Sequence, residues 1–317
     1  MATKHRDIDM DRNTFRGIFV IVTTPFTDDL AIDEDGLRST LRFCLDSGVH
    51  GVVSTANASE VGYLSDTERR RVAEIVVEEA KGKTPTVVGV SANHWRMSAA
   101  FAEHAGTIGA DAIMAMPPTF HPAGRAEIKA HYQAISAASD LPLVLQNAIG
   151  LGATVMSAEL LAELVNELPN ARFIKEETAY PAQMTGDIKT LAGERLIGVM
   201  GGRAGKTLME ELPHGICGTM PACEFADVHV ALWNAIEAQD MAFARSIFRC
   251  LLPLLDFEAS YGIPLCKEVE KARGIIAGAH WRQTGYRALD DHARTEMLTL
   301  LDGAAEYMNP KYPHRPA

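Results

Sequence analysis

The stretch Arg172–Glu177 (RFIKEE) is a short apolar run that carries one lysine and ends in two glutamates. It follows a helix-like segment, Ser157–Leu168, and precedes another, Ala182–Leu191. Short β-branched runs alternate with helical segments in this way from Gly17 to about Thr219. Such repeated units predict parallel strands joined by crossover helices, and hence a (β/α)8 TIM barrel.

Two further features refine this prediction of the fold. A doubly wound sheet is the alternative, but Thr23–Phe26 (TTPF) stands where a glycine fingerprint would follow the first strand. After Pro221 the sequence is helical throughout, which is more than one crossover helix requires. We therefore predict a polar N-terminal segment at 1–16, a barrel core at 17–225, and a final barrel helix with a helical C-terminal extension at 226–317.

The composition excludes several classes of partner. With 317 residues, the chain is long enough for one large core or two small domains. A net charge of −11 argues against nucleic acid and anionic membranes as partners, but it is compatible with a small anionic substrate. Residues 1–16 lack the apolar core of a signal peptide, and no apolar run approaches the roughly 20 residues of a membrane span. The five cysteines show no paired metal spacing, and their odd number suits reduced thiols, so we expect a cytoplasmic protein.

Lys175 is the first candidate for chemistry. Strand alternation places Phe173, Lys175 and Glu177 on one face, whereas the other lysines lie in polar, helical or terminal surroundings. An amine in a dry interior loses its charge easily and can attack a carbonyl to form a Schiff base. A lysine at a strand end can also extend to water. Because catalytic groups of barrels lie at the carboxyl ends of strands, the predicted fold favours catalysis.

Other predicted strand ends carry polar residues that would lie on the same rim. Asn57–Glu60 follows the second strand, Pro117–His121 follows the fourth, and Gln146 and Asn147 end the fifth. Each of these segments also fits ordinary loop and cap chemistry.

Two glycine-rich segments have features of ligand-binding loops. Gly201–Thr207 (GGRAGKT) resembles a phosphate-binding loop, but Met200 stands where that motif requires glycine. We therefore interpret the segment, with Gly202, as a loop that lines a pocket. Gly218 lies in Gly215–Thr219, which fits either close backbone approach to a ligand or ordinary barrel packing. No His, Asp, Glu or Cys cluster has metal-ligand spacing, so no metal site is predicted.

An ordered series of short motifs runs from about Gly17 to the C-terminal helices. The motifs are Thr24–Phe26, Ile32–Asp33, Gly48–Gly51, Leu64–Arg69, Gly109–Ala112, Pro117–Pro118 and Phe173–Lys175. This series resembles the dihydrodipicolinate synthase / N-acetylneuraminate lyase family of Schiff-base barrels. The resemblance implies an imine between Lys175 and the keto carbon of a 2-keto acid, followed by aldol cleavage, condensation or dehydration. It also implies no metal or organic cofactor and a homotetramer or dimer.

The departures from the family pattern narrow the expected reaction. The usual Gly-Thr-Thr-Gly-Glu loop is here Ala56–Glu60 (ANASE), and the usual relay tyrosine is Gln146. The arginine of the synthases falls near Leu151, and the tyrosine pair after the fourth strand is Thr119–Phe120. These changes argue against lysine-pathway synthesis and weaken the case for sialic-acid cleavage.

The same positions resemble the L-2-keto-3-deoxyarabonate dehydratase branch of the family. The resemblance rests on Ala56–Glu60, Met116–Pro118, Gln146–Asn147 and Lys175–Glu177, and it could also describe a neighbouring sugar-acid specificity. It implies a dehydratase that converts L-2-keto-3-deoxyarabonate to 2-oxoglutarate semialdehyde. A retro-aldol lyase that releases pyruvate and a non-catalytic sugar-acid sensor remain as alternatives.

The resemblance also gives each candidate residue a role. Lys175 would form the imine, and Glu177 would act as the base or as a partner that keeps Lys175 charged or positioned. Gln146 can orient water but cannot titrate. The expected substrate-binding residues are Asn57, Ala58 and Ser59 for the C1 carboxylate, Gln146 and Asn147 for the sugar hydroxyls, and Gly202 and Gly218 for close approach.

Overall fold

The computed structural model describes residues 14–150 and 154–314, in which eight parallel strands close into a barrel in chain order. The strands are β1 (Gly17–Ile21), β2 (Gly51–Ser54), β3 (Thr86–Gly89), β4 (Ala112–Ala115), β5 (Leu143–Ala148), β6 (Ala171–Glu177), β7 (Gly198–Gly201) and β8 (Gly218–Thr219). The helices are α1 (Glu34–Asp46), α2 (Asp66–Ala80), α3 (Trp95–Ile108), α4 (Arg125–Ala138), α5 (Ala158–Glu167), α6 (Pro181–Ala192), α7 (Leu208–Glu211), α8 (Ala226–Glu237), α9 (Met241–Tyr261), α10 (Ile263–Ala272) and α11 (Asp291–Ala304).

This architecture confirms the predicted (β/α)8 barrel with a helical C-terminal extension. Most of the predicted polar segment at 1–16 lies outside the described residues, as does Leu151. No helix in the described part of the chain is both long and apolar enough to cross a membrane.

Helix starts follow local capping chemistry. Asp33 accepts a hydrogen bond of 2.9 Å from the backbone N–H of Gly36 and so begins α1. The capping box predicted from Ser65 and Glu68 is confirmed at the start of α2, where the backbone N–H of Ser65 donates to Glu68 at 2.8 Å.

Large apolar side chains fill the barrel interior beneath the rim. The ring of Phe15 lies 4.4 Å from that of Phe19 and 4.2 Å from that of Phe173, measured between centroids, and all three residues are buried. Met114 belongs to the same apolar cluster. Because Lys175 follows Phe173 by two residues on β6, it stands above this apolar floor on the same face of the strand.

The C-terminal extension is tied to the barrel through a buried ion pair. Lys267 of α10 lies 2.5 Å from Glu60, which follows β2, and neither side chain is exposed. The other oxygen of Glu60 accepts hydrogen bonds of 2.7 Å from the backbone N–H groups of Arg282 and Gln283. The segment after α10 is therefore held against the loop that follows β2. The sequence predicts a helix around Lys267, but it does not indicate that this side chain is buried.

Candidate active site

Lys175 lies near the carboxyl end of β6 and is 3% exposed. In the parallel register it is paired with Gln146 of β5 and Met200 of β7. The amine borders a cavity of about 210 Å³ together with Glu177 and Asn57. The fold thus delivers a nearly buried amine to the rim where barrel enzymes place their catalytic groups.

The Glu177 carboxylate is the nearest charged group to this amine. Lys175 Nζ lies 3.2 Å from Glu177 Oε1, and the same oxygen accepts a 2.5 Å hydrogen bond from Gln146 Nε2. The backbone N–H of Arg203 donates to Glu177 Oε2 at 3.3 Å. A Cβ at Gly202 would collide with the Glu177 carboxylate, so glycine at this position makes room for it. The structure therefore brings together the predicted residues Lys175, Glu177, Gln146 and Gly202.

The loop after β2 contributes differently from what we expected. Asn57 and Ala58 line the cavity, as a carboxylate-binding role requires. Ser59 does not reach it, since its side chain is fully buried and its hydroxyl donates to the carbonyl of Val22 at 2.6 Å. This hydroxyl therefore fixes the loop to the end of β1, and the structure does not bring it to the cavity where the C1 carboxylate is predicted to bind.

Asn147 is also placed differently from the prediction. Its side-chain oxygen accepts from the backbone N–H of Met156 at 2.8 Å, and its Nδ2 donates to Glu176 at 2.8 Å. Alternation along β5 turns Gln146 inward and Asn147 outward, so Asn147 does not face Lys175. Burial raises the pKa of its partner Glu176. This pair supports the backbone around β5 and β6, and the structure does not bring Asn147 to the cavity where the sugar hydroxyls are predicted to bind.

Gly218 allows β8 to pair closely with β1, which closes the barrel. A Cβ at this position would collide with the backbone of Gly17, which pairs with Gly218 between β1 and β8. Ordinary packing, one of the two interpretations of this glycine, is the one that the geometry supports.

The cavity also contains side chains that the sequence did not indicate. They come from the C-terminal extension, whose chain positions lie far from β6. Arg203, by contrast, belongs to the loop Gly201–Thr207 that was predicted to line a pocket. Gly262 lies at the junction of α9 and α10, and a Cβ there would collide with the ring of Tyr286. The additional polar or titratable lining residues are Arg203, Glu258, Cys266, Gln283 and Tyr286.

Known proteins share this sequence and this fold. Residues 14–303 match the dihydrodipicolinate synthetase family. The L-2-keto-3-deoxyarabonate dehydratase of Azospirillum brasilense is 30% identical over 292 residues, covering 90% of this chain and 93% of that protein. A 4-hydroxy-tetrahydrodipicolinate synthase of Methanospirillum hungatei JF-1 is also 30% identical, covering 83% and 91%.

Solved structures agree with this assignment. The crystal structure of dihydrodipicolinate synthase from Rhodopseudomonas palustris has a TM-score of 0.84 to this chain at 26% identity, covering 92% of this chain and 98% of that one. The match spans the barrel and the C-terminal helices described above. This chain therefore belongs to the dihydrodipicolinate synthetase family, whose members are lyases of the class I aldolase type.

Proposed function

We propose that this protein is a Schiff-base lyase that dehydrates a 2-keto-3-deoxy sugar acid. The preferred substrate in this proposal is L-2-keto-3-deoxyarabonate, and the product is 2-oxoglutarate semialdehyde. The observation that carries the proposal is the nearly buried Lys175 amine, 3.2 Å from Glu177 at the rim of the barrel. The relative named as L-2-keto-3-deoxyarabonate dehydratase, which aligns with 90% of the chain, supports the choice of substrate.

The reaction begins when Lys175 Nζ attacks C2 of the keto acid and water is lost to form an imine. The protonated imine withdraws electrons and acidifies the protons on C3. Glu177 lies close enough to the amine to take a C3 proton from a substrate held there. The resulting enamine expels the C4 hydroxyl as water, tautomerisation forms the aldehyde at C5, and hydrolysis releases the product from Lys175.

The remaining residues are assigned to binding and positioning. Asn57 and the backbone around Ala58 line the cavity and would hold the C1 carboxylate. Gln146 donates to Glu177 at 2.5 Å, so in this proposal it orients the base. Its position is the one that the family usually gives to a relay tyrosine, which an amide cannot replace as a titrating group. The mechanism uses no metal and no organic cofactor.

A screen of 2-keto-3-deoxy acids by mass spectrometry tests this function. We expect loss of one water from the substrate, with the fastest conversion for L-2-keto-3-deoxyarabonate. Release of pyruvate and an aldehyde would instead identify a retro-aldol lyase that uses the same imine. Binding without any conversion, together with no trapped imine, would identify a sugar-acid sensor.

We also propose that the enzyme works as a homotetramer or dimer, as its resemblance to the family implies, and in the cytoplasm, which suits its free cysteines. Light scattering of the purified protein tests the assembly. A particle with the mass of one chain would contradict it.

A further inference from the structure

A second carboxyl group faces the cavity that contains Lys175. Glu258 lies near the end of α9, and its half-buried side chain lines the cavity together with Lys175 and Glu177. Cys266 of α10 lines the same cavity. The helical extension therefore contributes a titratable group to the space in which the substrate would bind.

Behind Glu258 lies a third carboxyl group, that of Glu224. Glu224, between β8 and α8, is 1% exposed, and among the described residues its carboxyl oxygens make no hydrogen bond of ordinary geometry. The groups that interact with it are the Glu258 carboxyl and the Cys266 thiol. The carboxyl groups of Glu224 and Glu258 and the sulfur of Cys266 lie within 4.8 Å of one another. Two ionised carboxylates at this separation in a dry site would be costly, and one shared proton removes much of that cost.

Burial and neighbouring acidic groups favour the protonated forms of these side chains. Burial, reinforced by the charge of Glu270, raises the pKa of Glu224 to about 7. Burial and the neighbouring Glu224 raise the pKa of Glu258 well above its usual range, against the opposing effect of Lys206. Burial also raises the pKa of the Cys266 thiol, which stays neutral.

We propose that Glu258, sharing a proton with Glu224, is the acid that protonates the departing C4 hydroxyl. This inference rests on the proposed dehydration. It assigns the donor of the proton that the C4 hydroxyl takes when it leaves, which the proposed mechanism does not name. Glu258 is a catalytic residue in this scheme because it faces the substrate. Glu224 is a positioning residue because it acts through Glu258.

The step balances without any further reactant. The C3–H bond breaks, and its proton moves to Glu177 while its electron pair enters the enamine. The enamine electrons then expel the C4 oxygen, which leaves as water after taking a proton from Glu258. Glu177 returns its proton to solvent, and Glu258 regains one from solvent or from Glu224. The substrate thus loses one molecule of water, and the protein is unchanged.

The different surroundings of the two glutamates explain why Glu177 is assigned as the base and Glu258 as the acid. Glu177 is surrounded by three donors, namely the Lys175 amine, the Gln146 amide and the Arg203 backbone N–H. Glu258 has buried acidic neighbours instead. A carboxylate surrounded by donors and a carboxyl group among buried acids are suited to act as base and acid in one reaction.

The first test separates imine chemistry from loss of the hydroxyl. For Glu258→Gln we expect wild-type trapping of pyruvate by borohydride and wild-type exchange of the pyruvate methyl protons with D2O. Elimination of water from the 2-keto-3-deoxy acid should slow by roughly 10²–10⁴-fold, the usual contribution of a general acid. Glu258→Asp keeps an acid on a shorter side chain and should restore part of that rate. Glu296→Gln, the same acid-to-amide change at an exposed position on α11, is the matched control and should behave as wild type.

The second test uses the pH dependence of elimination. The acid must be protonated, so the wild-type rate should fall as pH rises through the pKa of the pair. Glu258→Gln should abolish this alkaline decrease. Glu224→Gln should move it to lower pH, because the neighbouring charge that raises the pKa of Glu258 is then gone. If Glu224 had only a structural role, Glu224→Gln would lower the elimination rate without shifting its dependence on pH.

Several results would overturn the inference. Elimination by Glu258→Gln within about threefold of wild type would exclude a general acid there. Equal losses of pyruvate trapping and elimination would show a structural effect. Stoichiometric bound metal in the wild-type enzyme, with elimination lost to a chelator, would show that a cation rather than a proton neutralises the pair. A wild-type enzyme that traps no pyruvate would overturn the proposed function as well, whereas loss of the Glu258 effect alone would leave that function intact.

Discussion

The two sides of the cavity use the same type of side chain in opposite ways. On the barrel side, Glu177 lies 3.2 Å from Lys175 and accepts hydrogen bonds from Gln146 and Arg203. On the side of the helical extension, Glu258 adjoins the buried carboxyl group of Glu224. The neighbours of a carboxyl group therefore determine its role. Hydrogen-bond donors stabilise a carboxylate that accepts, whereas buried acidic neighbours stabilise the protonated acid.

The largest expected effect comes from removing the amine on the barrel side. Lys175→Ala should abolish turnover while preserving the fold, because a rim lysine contributes chemistry more than packing. Lys175→Arg should be equally inactive, since a guanidinium stays protonated and cannot form an imine. Steady-state assays with circular dichroism check both results.

A surface lysine supplies the control for this prediction. Lys129 on α4 pairs only with Glu163 and Glu167 among the described residues, and Lys129→Ala should retain normal activity. More than a small residual activity in either Lys175 variant would contradict covalent catalysis by this residue.

The next effect concerns the base on the barrel side. Glu177→Gln keeps the size of the side chain but removes its titratable group, so turnover should fall by roughly 10²–10⁴-fold. Exchange of the pyruvate methyl protons with D2O should fall with it. This result separates Glu177 from Glu258, whose amide variant should keep that exchange. A near-normal rate for Glu177→Gln would assign the C3 proton to a bound water or to the substrate carboxylate.

A smaller effect is expected at Gln146, where the family usually has tyrosine. Gln146→Tyr should lower activity on the sugar acid and retain imine formation from pyruvate. The aromatic ring adds bulk beside the cavity, and the change removes the amide that donates to Glu177 at 2.5 Å. Parallel measurements of kcat and of pyruvate trapping test this. A higher rate for Gln146→Tyr would mean that a tyrosine relay suits this site after all.

The last prediction concerns how the extension is held to the barrel. Lys267→Met leaves Glu60 buried without its ionic partner and should lower the free energy of unfolding by about 3–5 kcal/mol. The matched change Arg71→Met removes an exposed pair with Glu34 and should cost about 0.2–1 kcal/mol. Urea titration compares the two variants. Equal decreases in the free energy of unfolding would show that the buried pair stabilises the protein no more than the exposed pair does.

The barrel side of the site was largely predictable from the sequence. Apolar runs such as Arg172–Glu177 have period-two alternation, and this alternation places Lys175 and Glu177 on one face. Applied to β5, the same rule would have turned Asn147 outward. The position of Ser59 away from the cavity could not be predicted, because a sequence does not show that a hydroxyl already donates to a backbone carbonyl.

The side formed by the extension could not be predicted in the same way. Glu224, Glu258 and Cys266 have no regular spacing, and they meet only because α9 and α10 pack against the open end of the barrel. Burial also alters their pKa values, and burial of a charged residue in a helical segment has no local signature. The closest signal was Gly262, whose missing side chain admits Tyr286 at the turn between those helices.

Borohydride reduction in the presence of pyruvate, followed by peptide mass mapping, tests the central claim most directly. We predict a single covalent adduct, located on Lys175, and none in Lys175→Ala. An adduct on another lysine such as Lys206, or no adduct at all, would contradict the account of Lys175 as the residue that forms the imine.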